Sequence, residues 1–496
     1  MSTIEITEAP LQHSDSFFIG GEWVEPSSKR TIDVIDSTTE EHYFSVPEAL
    51  EPDMDRAIAA AREAFDHGPW RKMSHAERAG YMKALAAELR KRGDDIAQIW
   101  PRESGVTIDR ARGAAEATAG TFEYYAGLAE TFPFEEEKAP TAGGEFGLLV
   151  REPVGVVGAI IPWNGPLGLI GHKVAPALIA GCTVVLKSSP EAPGDGYVVA
   201  EAAEAAGLPP GVLNVITADR EVSELLVVDP RIDKITFTGS TVAGRRIASL
   251  CGERIARVTL ELGGKSAGVI LDDADLEQAA QVIAGAECML TGQVCSSLTR
   301  LIVTEKRHDA FVEAISAAFG AKVVGNPFDE STDMGPLAAE RQRDRVEGYI
   351  KKGQEEGATL ATGGGRPAHL ERGWFIEPTV FGNVDNSATI AREEIFGPVL
   401  TVIPAKDEAD AIEKANDTIY GLNSSVFTED VDRAREVAAE LRAGTVGHNA
   451  FRTDFGMAFG GFKQSGLGRE GGIEGLRPYL ETKTVILEGK PSTYRS

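Results

Sequence analysis

The sequence predicts an α/β fold built on parallel sheet, and three observations carry that prediction. From Val154 onward, short β-branched apolar runs alternate with helical stretches at a regular spacing. A second stretch with the same rhythm begins at Ala267. The chain has 496 residues, which at roughly 150 residues per domain allows about three domains and a large core. Strand, helix, strand in this order is the pattern of a parallel sheet covered on both faces, because parallel neighbours need a crossover that is usually a helix.

Taken in order, residues 1 to 50 are turn-rich with short apolar runs such as Ser16 to Ile19, and predict small strands and loops. Ala and Leu at spacings of three and four predict helices over Ala57 to Phe65 and Ala76 to Arg92, with Gly93 as the stop, and another over Ile108 to Leu128. Phe132 to Gly144, with consecutive glutamates and Gly143-Gly144, predicts a loop, and 145 to 152 a strand. The regular part places strands at Val154 to Ile161, Thr183 to Lys187, Leu213 to Ile216, Lys234 to Thr238 and Arg257 to Leu262. Helices near 166 to 180, 194 to 206, 220 to 228 and 241 to 250 lie between them. The second rhythm gives strands at Ala267 to Leu271, Arg300 to Val303, 378 to 384 and 398 to 404, and helices at Leu276 to Leu290, 306 to 322, 340 to 356, 407 to 416 and 430 to 442. Thr362 to Pro367 reads as a surface loop, and Thr482 to Leu487 as a last strand after a Gly-rich tail.

Composition removes several classes. Lys and Arg number 50 against 76 Asp and Glu, a formal net charge of −26. A duplex-binding protein needs a basic surface to displace counterions, so nucleic-acid binding is not expected. Hydrophobic residues at 42% and charged residues at 25% are near globular averages, which excludes disordered and fibrous classes. The cysteines Cys182, Cys251, Cys288 and Cys295 are too few for a disulfide framework and show no C-x-x-C spacing. Histidines are scattered without H-E-x-x-H, so no metal is expected. No window approaches about 18 uninterrupted apolar residues, so no membrane span is expected. The acidic stretch Met1 to Pro10 lacks the order of a signal peptide, which makes the cytoplasm, with reduced thiols, the expected compartment.

Ligands on parallel sheets sit beyond the carboxyl ends of the strands. Three segments follow strands directly: Pro162-Trp163-Asn164, Lys187-Ser188-Ser189 and Thr238-Gly239-Ser240. Gly264-Lys265-Ser266 resembles the end of a P-loop, but the glycine required five positions before Gly264 is Thr259, and that reading fails. Phe237 to Thr241, with Gly244 in the first helical turn, offers N–H groups that suit a phosphate oxygen, or is a plain strand-to-helix turn. Cys295 sits in a break after a long helix, between Gly292-Gln293-Val294 and Ser296-Ser297, whereas the other cysteines lie in apolar or helical runs. A lone cysteine is most often a small buried hydrophobe. The loop position favours a nucleophile, which needs a base or an electropositive setting because its ordinary pKa is about 8.5. Glu261, at the end of an apolar strand, is the candidate base, with a buried structural salt bridge as the other reading.

These residues stand within a longer series of motifs: Pro162-Trp163-Asn164-Gly165-Pro166, Lys187 to Pro193, Phe237 to Thr241, Leu260 to Lys265, Gly292 to Cys295, Glu393 to Pro398, and Gly460 to Lys463 leading into Ser465-Gly466. In order and spacing the series resembles the aldehyde dehydrogenase family over nearly the whole chain. The resemblance implies a Rossmann-like parallel-sheet cofactor domain (1–131 and 153–261), an α/β catalytic domain (262–445) and a small β oligomerisation arm (132–152 and 478–496), with 446–477 returning to the cofactor side. It implies oxidation of an aldehyde to the acid with reduction of NAD(P)⁺. Cys295 would be the nucleophile, Glu261 the general base for the hydrolytic water, and the Asn164 amide with the Cys295 N–H the holders of the oxyanion. The branch that passes the acyl group to coenzyme A usually lacks that glutamate and is disfavoured.

For the cofactor, the resemblance implies Ile160, Pro162, Trp163, Lys187, Ser189, Gly239, Ser240, Leu262, Gln342, Arg345, Glu394 and Phe396. Where the family commonly has a ribose-binding glutamate three residues after the lysine, this chain has Pro190, with Glu191 one later. The expected cofactor is NAD⁺, because no arginine lies beside the stretch in sequence, and the missing carboxylate leaves NADP⁺ open. The tunnel is expected from Gly165, Leu169, His172, Val294, Ser296, Phe451 and Phe459. With Gly168 and Gly171 it is read as roomy and suited to a medium or large apolar aldehyde, unless Phe451, Phe455 or Met457 refill it. His172 is expected in the wall. The apolar alternation at Thr484 to Leu487 would leave an open sheet edge in a monomer unless its own chain covers it; the resemblance implies that it pairs with another subunit, so a homodimer or homotetramer is expected. Two other readings accompany this one. An NADP-linked semialdehyde dehydrogenase needs a tunnel arginine, with Arg452 the nearby candidate. A catalytically silent binding or structural relative should lack Cys295, Glu261 or Asn164, and all three are present.

Overall fold

Five parallel strands form the centre of an eight-stranded sheet, in the order Arg257–Glu261, Lys234–Thr238, Val156–Ile160, Thr183–Ser188, Leu213–Thr217. The structure is a computed structural model that describes residues 8–492 and Tyr494; residues 1–7, 493, 495 and 496, which complete the expected segments 1–131 and 478–496, lie outside the described residues. Antiparallel strands close both edges of this sheet, Gly466–Leu467 on one side and Phe17–Ile19 with Glu22–Val24 on the other. The expected strands are present to within a residue or two at each end. Each central strand from Val156 to Thr238 is buried at every residue, which is why it reads as a continuous apolar run rather than an alternation. The chain reverses its direction of travel between Val156–Ile160 and Lys234–Thr238, and a crevice opens at the carboxyl ends of such a switch point.

A second sheet has seven strands in the order Thr359–Thr362, Thr379–Gly382, Val399–Ala405, Arg300–Thr304, Ala267–Ile270, Asn423–Phe427, Thr445–His448. Its pairings are parallel except for the first. Asn423–Phe427, between the expected helices 407 to 416 and 430 to 442, is a strand that was not expected, and Thr445–His448 is a strand where a Gly-rich tail was expected. The first is fully buried despite its serines, because Ser424 Oγ donates to the Ala267 carbonyl at 2.7 Å and Ser425 Oγ to the Ala450 carbonyl at 2.8 Å. Thr359–Thr362 is likewise a strand running up to the expected turn cluster.

Three helical expectations change. The helix expected to stop at Gly93 ends there, at Lys91 with Arg92 as its cap, but Gly93 also opens an unexpected helix, Gly93–Ser104, which buries Ile96, Ile99 and Trp100 on one face. The helix expected over Ile108 to Leu128 is two, Ile108–Arg112 and Ala114–Thr131, separated at Gly113. The helix expected to Leu290 ends at Glu287, and Leu290, Thr291 and Gly292 turn the chain with φ of 53°, 57° and 69°. The expected loop Phe132 to Gly144 contains the edge strand Glu135–Lys138, formed because its backbone pairs with Gly147 to Val150 while its charged side chains stay in water. With Phe146–Pro153 and Leu480–Leu487 it makes a three-stranded sheet in which Leu480–Leu487 lies at an edge and Ile486 is 52% exposed. Among the described residues no helix is long and apolar enough to cross a membrane, and no group of three His, Cys, Asp or Glu is placed to hold a metal ion.

Candidate active site

A cavity of about 1260 Å³ runs from the switch point of the first sheet to the loop carrying Cys295. That exceeds the ~300–1,000 Å³ typical of a single small-molecule site. The structure brings most of the expected residues to its wall: Asn164, Glu261 and Cys295; Pro162, Trp163, Gly239, Ser240, Leu262, Gln342, Arg345, Glu394 and Phe396; and Gly165, Leu169, His172, Val294, Ser296, Phe451 and Phe459. Ile160, Lys187 and Ser189 lie at the strand ends behind that wall and are not among its lining residues. The lining also includes Trp100, Arg110, Arg220 and Arg341, which no sequence motif singled out.

Cys295 owes its position to the left-handed turn before it. A β-branched residue at positive φ is strained, and Thr291 is held there by bonds from its hydroxyl to the Gly335 and Pro336 carbonyls at 2.9 and 3.2 Å. The buried Gln293 side chain fixes the next residue, donating to Leu290 O at 2.8 Å and accepting from the Ala338 N–H at 3.0 Å. The Gln293 carbonyl accepts from Asn164 Nδ2 at 2.9 Å, which orients that amide toward the cysteine loop and leaves its second N–H for another acceptor. The segment bearing Asn164 is pinned from three sides. Ser104 Oγ donates to Trp163 O at 2.7 Å, Trp100 Nε1 to Asn164 O at 3.2 Å, and the Leu167 N–H to Asp195 Oδ2 at 3.1 Å.

Glu261 ends its strand 1% exposed, and neither carboxyl oxygen has a hydrogen-bond partner among the described residues. Burial pushes this carboxyl well above the usual range; Glu470 adds to the rise, while Lys173 and Arg469 oppose it. Lys173 and Glu470 form a buried ion pair, and Lys173 Nζ also donates to Thr238 Oγ1 at 2.7 Å. Burial likewise raises the Cys295 thiol, and the carboxyls of Glu394 and Glu261 raise it further. At rest the thiol is neutral and needs a base.

Glu394 is pushed up to about 7 by burial and accepts from the Gly264 N–H at 3.1 Å. A Cβ at Gly263 would lie 2.3 Å from its Oε2, so only glycine lets the carboxyl reach that position. Phe396 next to it has φ of 65° and meets Trp163 edge-on, ring centroids 5.4 Å apart. Gln342 and Arg345 hold this strained turn rather than pointing only into the cleft: Gln342 Nε2 donates to Phe396 O at 2.6 Å and Arg345 Nη2 to Glu394 O at 2.6 Å. Ser240 caps the helix Thr241–Glu253, its hydroxyl accepting from the Ala243 N–H at 3.3 Å. The hydroxyl oxygen thus caps the helix while its O–H remains free to donate, and Ser240 at the helix start lines the cleft. Burial pulls Lys187 down to about 8.

At the tunnel end the His172 ring stacks on Phe455 at 4.0 Å, and Phe455 on Phe459 at 4.3 Å. Burial, with Lys173, holds His172 near 3, so it is a neutral wall residue. A Cβ at Gly165 or Gly168 would meet nothing within 4 Å, so the space left by these glycines is not refilled. Met457 is 70% exposed and, like Arg452, is not on the lining.

Fold and site define a class: an α/β enzyme with a loop thiol and a buried carboxyl on the wall of a cavity of about 1260 Å³. A sequence profile of the Aldehyde dehydrogenase family matches residues 23–485. Geranial dehydrogenase of Castellaniella defragrans is 45% identical over 473 residues, covering 95% of this chain and 98% of that protein. Betaine aldehyde dehydrogenase of Bacillus subtilis is 39% identical, covering 97% and 98%. Among solved structures, aldehyde dehydrogenase of Mycobacterium tuberculosis complexed with NAD⁺ superposes with a TM-score of 0.92 at 44% identity, covering 97% and 99%. A mutant of aldehyde dehydrogenase C of Pseudomonas syringae, complexed with NAD⁺ and octanal, gives 0.93 at 39%, covering 98% and 100%. The chain belongs to the aldehyde dehydrogenase family and is an oxidoreductase acting on aldehydes.

Proposed function

We propose that the protein oxidises a medium or large apolar aldehyde to its carboxylic acid, with Cys295 as nucleophile, Asn164 and the Cys295 N–H as oxyanion donors, and Glu261 as general base. One observation carries the reading: a half-buried loop thiol, an anchored amide and an unpartnered buried carboxyl line the same cavity. The cofactor is NAD⁺. The cleft fits it, with its volume, the helix start at Ser240 and the Glu394 carboxyl held against Gly264. When bound, NAD⁺ supplies the hydride acceptor that turns the thiohemiacetal into a thioester.

The chain's own groups do the rest. Cys295 Sγ bonds to the aldehyde carbon and gives up its proton to a water molecule; the carbonyl oxygen becomes an anion between Asn164 Nδ2 and the Cys295 N–H. One such donor is worth about 10²- to 10³-fold in rate. Glu261 takes a proton from the water that attacks the thioester, and the acid leaves Sγ free. Both Cys295 and Glu261 have raised pKa values, so their reactive deprotonated forms gain population as pH rises. Initial rates at saturating NAD⁺ are expected to rise several-fold between about pH 6 and 9. A profile flat or falling across that interval would contradict the assignment.

The open space at Gly165 and Gly168 and the aromatic wall favour an apolar substrate, as do the geranial dehydrogenase relative and the octanal complex. A panel of straight-chain aldehydes should give the highest kcat/KM at medium to long chains. G168F should cut octanal turnover roughly tenfold or more while sparing acetaldehyde, because the ring would fill the open space. Highest kcat/KM for the smallest aldehydes in the parent protein would sink this substrate class. The edge strand Leu480–Leu487, which has no second strand neighbour among the described residues, supports a homodimer or homotetramer. The same reading takes the cofactor domain as 1–131 and 153–261, the catalytic domain as 262–445 and the arm as 132–152 and 478–496. It places the protein in the cytoplasm, which the four unpaired cysteines support.

A further inference from the structure

We infer that Glu287 is a further positioning residue for the reaction: from behind the cysteine turn, and acting through Lys265, it keeps Glu394 charged and in place for the cofactor. This rests on the cofactor reading above and adds a residue that no sequence motif includes. Glu287 is the last residue of the helix Leu276–Glu287, 2% exposed, and its Oε1 has no hydrogen-bond partner among the described residues. A carboxyl so buried is costly unless nearby charges hold it. A Cβ at Gly292 would lie 2.7 Å from Glu287 Oε1 and 2.5 Å from the Gly397 carbonyl oxygen. The turn before Cys295 therefore lies between this carboxyl and the segment that carries Glu394.

Lys265 connects the two carboxyls. It is 1% exposed, and its Nζ has no hydrogen-bond partner among the described residues. It follows Gly264, whose N–H donates to Glu394 Oε1 at 3.1 Å, and its own carbonyl accepts from Arg300 Nε at 2.9 Å, which fixes the backbone on both sides. Burial pulls the ammonium down to about 7 and Arg300 adds to the fall, while Glu287 and Glu394 oppose it. Burial pushes Glu287 up to about 7, opposed by the Ser297 hydroxyl and Lys265. The same burial effect at Glu394 is opposed by the Gly264 N–H, Arg345 and Lys265. The adjacent Cys288 thiol, pushed up to about 12, stays neutral and adds no charge. One ammonium thus serves two carboxyls, and in a low-dielectric interior such charges couple without touching. Glu394 stands near enough to Cys295 to raise its thiol, which places it at the end of the cofactor that takes the hydride.

Titration calorimetry of the purified full-length protein with NAD⁺, and with ADP as the half that lacks the nicotinamide, tests the inference without turnover. E287Q removes the charge and keeps the shape. Lys265 then loses its proton at a lower pH and Glu394 keeps its own to a higher one. NAD⁺ affinity should therefore fall roughly threefold or more at about pH 7 and return to within about twofold of the parent at about pH 9, with ADP unchanged at both. K265M should show at least the same loss at neutral pH, and E287Q/K265M should bind no more weakly than K265M alone, because Glu287 acts through the lysine. E287D keeps the charge and should retain most of the parent affinity. The inference is overturned if E287Q weakens NAD⁺ and ADP alike, if its loss is equal at both pH values, or if the double variant shows the product of the two single losses. Should E287Q not fold, E287D decides: near-parental affinity supports a role carried by charge, and a loss equal at both pH values overturns it. Failure of NAD⁺ to bind the parent protein would strike the cofactor reading instead, and the parent titration reports that separately.

Discussion

Replacing Cys295 by alanine abolishes aldehyde-dependent reduction of NAD⁺, with a loss of roughly 10⁴-fold or more, because no second thiol can take its place. Cys182 and Cys251 are fully buried, and Cys288, 7% exposed, caps the end of the helix preceding the turn. Burial pushes the thiols of Cys182 and Cys288 up to about 12, as expected of inert structural cysteines. Only Cys295 lines the cavity. The substitution removes one sulfur from a half-buried loop site, so folding and NAD⁺ affinity should survive. Initial rates alongside a calorimetric titration with NAD⁺ separate loss of chemistry from loss of structure. Residual turnover above about 1% of the parent rate would move the nucleophile elsewhere.

Changing Glu261 to glutamine separates two steps that the parent runs together. Hydride loss from the thiohemiacetal does not need a base for water, whereas thioester hydrolysis does. The variant is therefore expected to give a burst of reduced cofactor close to one equivalent per active site, followed by turnover slowed about 10²- to 10⁴-fold. Glutamine is nearly isosteric, and the parent carboxyl has no hydrogen-bond partner among the described residues to lose, so the fold is preserved. Rapid mixing with excess aldehyde and NAD⁺ reads both phases. Loss of burst and steady state together would assign Glu261 to activation of the thiol instead.

Much of this site was legible in the chain because its chemistry sits where parallel strands end. Val156–Ile160, Thr183–Ser188 and Lys234–Thr238 are uniformly buried and declare themselves as β-branched runs, and the residues after them line the cleft or stand directly behind it. What stayed hidden depends on residues distant in sequence. Trp100 and Ser104, which pin the Asn164 segment, belong to a helix that was not expected because Gly93 was read only as the stop of one helix when it is also the start of the next. Arg220 and Arg341 carry no motif and meet Lys187 and Glu191 only because neighbouring elements pack side by side. Gln342 and Arg345 were expected at the cofactor from the resemblance, but not as the braces of the strained Glu394–Phe396 turn, a role that exists only in the folded backbone. Asn423–Phe427 escaped detection because its serines read as polar, although their hydroxyls are satisfied by neighbouring carbonyls.

The central claim is covalent chemistry at Cys295 with hydrolysis driven by Glu261, and intact-protein mass spectrometry of E261Q tests it most directly. Mixed with octanal and NAD⁺ and quenched in acid within the burst, the variant should gain one acyl group, and peptide mapping should place it on Cys295. The parent should show little of that adduct under the same quench. No mass gain, or an acyl group on any residue other than Cys295, would contradict the account.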